Sequence, residues 1–240
     1  MKKTILLFVM LVTAMSSTQA QSYRGVHQFD GEHRNEVSGY VMFGDNVVAG
    51  TFGGFEASYR RHLANRWYVG GDAQMQFGKQ LYSVDATGGY CLPVKFGHLY
   101  FDGKLMLNRY SRWGFTETIF NLSATWESAY FDMRIGESLI HFHSSARGMG
   151  YGHTEPLTLT FGMGVNIRHR TNPWNIGLYA RNYDDFYYEN WNINWGVRWY
   201  ANINRQMRLF GELNIRPAGS ISQLASKYET SMKLGLKYKW

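Results

Sequence analysis

The chain has 240 residues, a formal net charge of +7, one cysteine and an aromatic fraction of 17%. Mean hydropathy is −0.36, which excludes a bundle of membrane helices, since each helix needs about 20 consecutive apolar residues. The aromatic content excludes a disordered chain, and one cysteine excludes a disulfide framework or a Cys-rich zinc site.

Residues 1–20 read as a secretory signal peptide. Lys2 and Lys3 form its basic start, residues 5–12 its short apolar core, and Thr18-Gln19-Ala20 a small-residue cleavage site. Residues 21–35 then form an N-terminal segment on the periplasmic side, and 36–240 form one domain. Removing Lys2 and Lys3 takes the charge from +7 to +5, a balance that suits an anionic lipid or polysaccharide surface better than nucleic acid.

From residue 36 onward, apolar and polar residues alternate with period two. Twelve strands are predicted, within a range of ten to fourteen: 36–44, 51–62, 66–77, 80–91, 98–109, 116–126, 129–140, 156–168, 174–183, 190–202, 206–216 and 228–240. No helical stretch is predicted. Most exceed the five or six residues of soluble strands and match the 9–11 of a tilted membrane crossing. The fold class is therefore all-β, a single antiparallel transmembrane barrel. The soluble alternative is a secreted β-sandwich binding protein, with apolar residues inward. Short connections at 63–65, 127–128, 169–173 and 203–205 oppose longer ones at 141–155, 184–189 and 217–227; the loop at 78–79 breaks the trend. The short side is assigned to the periplasm.

Trp67, Trp126, Trp174, Trp199 and Trp240 share the lipid-facing parity near the short-turn end. They form a predicted membrane-interface girdle, because an indole pairs an apolar body with one N–H to satisfy. The 26 glycines are explained in part by crowding on the inner face. The final segment, Tyr228 to Trp240, alternates and closes on an aromatic. It resembles the C-terminal insertion signal of bacterial outer-membrane barrel proteins. That resemblance implies an outer-membrane barrel in a Gram-negative bacterium, inserted by the barrel-assembly machinery, with outer-membrane lipid and lipopolysaccharide as surroundings. No nucleic-acid partner and no cofactor is implied, and the oligomeric state stays open.

The polar parity predicts the lumen. Its acids are Glu56, Asp72, Asp102, Glu117, Glu127, Asp132, Glu212 and Glu229; its bases are Arg60, Lys104, Arg134, Arg168, Arg181, Arg198, Arg208 and Lys233. Tyr68, Tyr179 and Tyr200 join them. Two readings remain open. Near-balanced signs suit a plugged, structural barrel, because buried charge must be paired. Arg168, Arg181, Arg198 and Arg208, on four successive predicted strands, suit an anion-selecting wall. In size and strand count the chain resembles the small twelve-stranded channels for acidic sugars, which implies a narrow polar channel for small anionic solutes.

A third reading is enzymatic. His143 and Ser145 stand in H-x-S spacing, and i, i+2 residues of a strand share a face. Glu155 is the candidate carboxylate behind the histidine. The pair resembles the His-x-Ser-Asn sequence of outer-membrane lipid A deacylases and phospholipases, which implies an outer-leaflet lipid hydrolase. Ala146 stands where that pattern has Asn. His141, His143 and His153 give only a weak metal pattern, so no metal site is assigned. Cys91 reads as a small strand residue, and no phosphate-cradling glycine loop is present.

Overall fold

The computed structural model describes residues 35–46, 50–78, 80–111, 114–144, 151–183, 193–216 and 229–240. The predicted signal peptide lies outside them, as does Ser145. Twelve strands run in chain order: β1 (Asn35–Asn46), β2 (Gly50–His62), β3 (Trp67–Gln76), β4 (Leu81–Val94), β5 (Gly97–Tyr110), β6 (Phe115–Glu127), β7 (Phe131–Ser144), β8 (Tyr151–Asn166), β9 (Trp174–Arg181), β10 (Asn194–Asn202), β11 (Met207–Arg216) and β12 (Glu229–Lys239). Every strand pairs antiparallel with its chain neighbours, and β1 pairs with β12 to close the barrel. One short 3₁₀ turn, Ala64–Arg66, joins β2 to β3.

Side-chain parity determines what each face meets. Along β12, Ser231, Lys233 and Lys237 are buried, while Met232, Leu234 and Leu236 are exposed. The same inversion holds around the ring: Val69, Leu107, Phe120, Leu139, Val165, Leu178 and Leu213 all point outward and are exposed. A soluble sandwich buries these residues, so the β-sandwich alternative is overturned. The outer belt is built for lipid, where closure leaves no strand edge to satisfy.

Small apolar clusters fill the interior between polar layers. Met106, Ile119, Ile140, Phe142 and Tyr183 pack towards the long-loop end. Tyr40, Met42, Phe52, Tyr200 and Phe210 form a second group. Inward glycines make this filling work. Tyr179 and Asn214 lie opposite Gly196 on its two neighbouring strands. Tyr179 therefore crosses Gly196, bringing its hydroxyl to 3.1 Å from Asn214 Oδ1. A Cβ at Gly196 would strike the Tyr179 ring. Tyr68 crosses Gly89 in the same way and donates to Asp102.

One irregularity bends the rule. On β7, Ser138 is opposite Thr158, but Ile140 is opposite Glu155. Two residues of β7 thus answer three of β8, which is a β-bulge. β7 also runs to Ser144 and β8 starts at Tyr151, so the loop predicted at 141–155 shrinks to 145–150. Extended pairing of the two strands accounts for the difference.

Candidate functional site: the barrel interior

The interior charges are paired across strands rather than left as a free ladder. Asp132 sits at the short-turn end of β7 and is fully buried. It accepts from Arg198 on β10 and from Arg170 Nη2 at 3.1 Å. Arg170 also meets Glu127 at 3.1 Å. Arg198 reaches Asp132 over Gly164, where a Cβ would meet both the guanidinium and the carboxylate, and it donates to Asn166 at 3.3 Å. Higher up, Arg181 donates to Glu212 at 2.6 Å, which also accepts from Tyr179 at 2.9 Å. On the far side Lys104 meets Asp85 at 2.7 Å and Asp72 at 3.5 Å. Arg134 donates to Asn121 at 2.6 Å and lies over the Tyr183 ring. Glu56 accepts from Tyr40 and from Gln74, and Glu117 from Asn108 at 3.0 Å. Such pairs hold only because each desolvated ion meets an opposite charge or a hydrogen-bonding partner.

The two halves of the wall differ in sign. Strands β2 to β7 carry Glu56, Asp72, Asp85, Asp102, Glu117, Glu127 and Asp132 inward, with Arg60, Lys104 and Arg134 among them. Strands β9 to β12 carry Arg181, Arg198, Arg208, Arg216, Lys233 and Lys237, with Glu212 and Glu229 among them. Arg208 lies over the Tyr200 ring at 4.2 Å, and Lys233 over Tyr40 at 5.3 Å. The molecule therefore holds an acid-rich wall facing a base-rich one.

Of the predicted arginine wall, Arg181, Arg198 and Arg208 point inward and are buried, but Arg168 does not. β8 ends at Asn166, and the chain turns out of the ladder before Arg168. Asn175 pins that turn, accepting from the Arg168 amide at 3.1 Å and donating to its carbonyl at 2.8 Å. The Arg168 guanidinium is exposed and stacks on Trp174 at 3.5 Å. Arg170 takes the inward place instead. Sequence reasoning also missed Glu36, Asp85, Arg216 and Lys237. Parity within their predicted strands was signal enough for all four. Arg170 sits in a turn and gave no periodic signal.

The five girdle tryptophans fall on the outer face near the short-turn end, with Trp67, Trp174 and Trp240 about half exposed and Trp199 and Trp126 partly covered. Trp199 lies against Gly211 on the neighbouring strand.

Of the predicted hydrolase residues, only His143 has a described side chain. His143 is exposed and outward, opposite Gly152. The register sets Glu155 opposite Ile140, because the bulge shifts β8 by one residue. Of Glu155 only the backbone pairing is described, and Ser145 lies outside the described residues. No group of three His, Cys, Asp or Glu among them is placed to hold a metal ion. Cys91 is buried beside Tyr68 and Tyr100.

No family model matches the sequence, and a search of curated proteins returns no match. Solved structures do match. The KdgM porin in complex with disordered oligogalacturonate is 9% identical, with a TM-score of 0.56 over 85% of this chain and 99% of that one. The NanC porin is 11% identical, with a TM-score of 0.55 over 84% and 100%. The translocator domain of the autotransporter NalP from Neisseria meningitidis is 11% identical, with a TM-score of 0.52 over 89% and 90%. One architecture thus serves porins and a translocator alike, so fold alone does not select among them. With its apolar exterior and closed twelve-strand ladder, the chain has the fold of a transmembrane β-barrel, and its structural neighbours are bacterial outer-membrane β-barrel proteins.

Proposed function

We propose that the barrel is a narrow, charge-lined channel for small anionic solutes. The observation that carries this reading is the run of Arg181, Arg198, Arg208, Arg216, Lys233 and Lys237 along four successive strands. Guanidinium groups present paired N–H donors that match a carboxylate. A solute carboxylate can compete with Asp132 for Arg198 and with Glu212 for Arg181, passing from one fork to the next. The oligogalacturonate of the KdgM complex is an acidic sugar chain, and that chemistry suits such a wall. Planar-bilayer recording under a salt gradient tests the reading. Unit conductance should appear with an anion-selective reversal potential, and Arg181→Gln with Arg198→Gln should move that potential towards cation selectivity. A silent bilayer at every salt concentration would sink it.

A plugged, structural barrel is the second reading. The observation favouring it is the depth of burial inside: Arg181, Arg198, Lys237 and Asp132 are each at most 2% exposed. Absence of conductance in wild type, with conductance appearing in Asp132→Ala, would support this reading over an open path.

A further inference from the structure

We propose that the rim formed by the short turns is a binding surface for the phosphate groups of anionic glycerophospholipids. The turns that join β2–β3, β4–β5, β8–β9 and β10–β11 share one composition. Each sets an exposed cation beside an exposed apolar residue: Arg66 with Leu63, Lys95 with Phe96, Arg168 with Ile167, and Arg205 with Ile203. Arg61, the penultimate residue of β2, is also exposed.

The exposed carboxylates do not balance them. Among the described residues they are Asp45, at the opposite end, and Glu137, midway along β7. The acids at this end, Glu36, Glu127 and Asp132, face inward and are buried. No carboxylate among the described residues pairs with any of the five rim cations. Among the described residues this end therefore carries five exposed cations and no exposed side-chain carboxylate, while Arg109 is exposed at the other end.

The apolar neighbours decide between a soluble polyanion and a bilayer. Phe96 and Ile167 are each 69% exposed, which suits a lipid boundary far better than water. Lys95 lies over the Phe96 ring at 5.3 Å, and Arg168 over Trp174 at 3.5 Å. An apolar stem or ring at acyl depth with a cation above it is the arrangement that meets a lipid head group. Trp67 and Trp174 open β3 and β9 directly after two of these turns, and Trp240 follows β12, so the cations adjoin the interfacial indoles, near where phosphates lie.

The test is native mass spectrometry of the full chain in detergent with added phosphatidylglycerol or phosphatidylcholine. Phosphatidylglycerol should be retained at several times the occupancy of phosphatidylcholine. Raising salt from about 0.05 M to about 0.5 M should bring the two towards parity, because these charges are exposed and screened. The variant R66Q/K95Q/R205Q should also approach parity while keeping the gel mobility of a folded barrel; should it not fold, the salt series on wild type decides alone. Equal occupancy of both lipids, a preference insensitive to salt, or an unchanged preference in a folded variant would overturn the proposal. So would displacement of the lipid by soluble glycerol phosphate at matched concentration, which would make the partner a free anion.

Discussion

At the scale of single residues, Asp132 is the most exacting position. It is fully buried and faces two guanidinium groups, so Asp132→Asn removes a charge partner from both Arg198 and Arg170, of which Arg170 keeps Glu127. A loss of about 3 kcal/mol is expected, read from urea unfolding of the barrel in lipid vesicles. Gly164→Val should cost a comparable amount by driving Arg198 off Asp132, and Gly164→Ala less. Glu137 makes the opposite case. Its side chain faces outward midway along β7, between Leu122 and Leu159 on the neighbouring strands. A carboxylate at that depth meets acyl chains, so Glu137→Leu should raise stability by about 1–2 kcal/mol; a loss would indicate that another molecule satisfies the group. These residues also mark what was legible in advance. Asp132 and Arg198 were read inward from parity alone, since a strand leaves only two faces. Their pairing was not legible, because it spans strands far apart in sequence and depends on which glycine the guanidinium crosses.

At the scale of elements, strand positions were readable because an outward apolar row and an inward polar row alternate with so few interruptions. Where alternation met a local event, extrapolation failed. The β8 pattern continues past Asn166 in the sequence, yet the chain turns there, and Arg168 ends on Trp174 rather than in the lumen. The bulge between β7 and β8 is similarly silent: an added residue resets which face later residues meet. It sets Glu155 opposite Ile140, where a strict count places Pro156. The seam between β1 and β12 offers a cleaner test of an element. Lys237 meets Glu36 at 2.7 Å, with Lys239 at 3.8 Å. Glu36→Gln should destabilise the barrel by about 2–3 kcal/mol, and adding Lys237→Met should recover most of that loss, since replacing both members of a buried pair is far cheaper than removing one. Equal unfolding midpoints for the single and double variants would show that the pair does not hold the seam.

At the scale of the whole molecule, a closed ladder with an apolar exterior predicts heat-modifiable migration: the unboiled protein should run ahead of the boiled one in detergent gels, and a chain soluble without detergent would contradict the barrel. The ring carries a further consequence for the order of events. β1 and β12 stand at opposite ends of the described chain, yet they are hydrogen-bonded neighbours. The chain-entropy cost of joining them is modest, about 0.6 kcal/mol for each doubling of the enclosed length. Leaving them apart in lipid is the greater cost, since each unsatisfied backbone group there loses several kcal/mol. A sheet that has crossed the bilayer but not closed is thus worse than either end state. Insertion and closure are expected to be one cooperative event, with tryptophan fluorescence and gel mobility reporting the same urea midpoint, and two separated midpoints would reveal an open-sided intermediate.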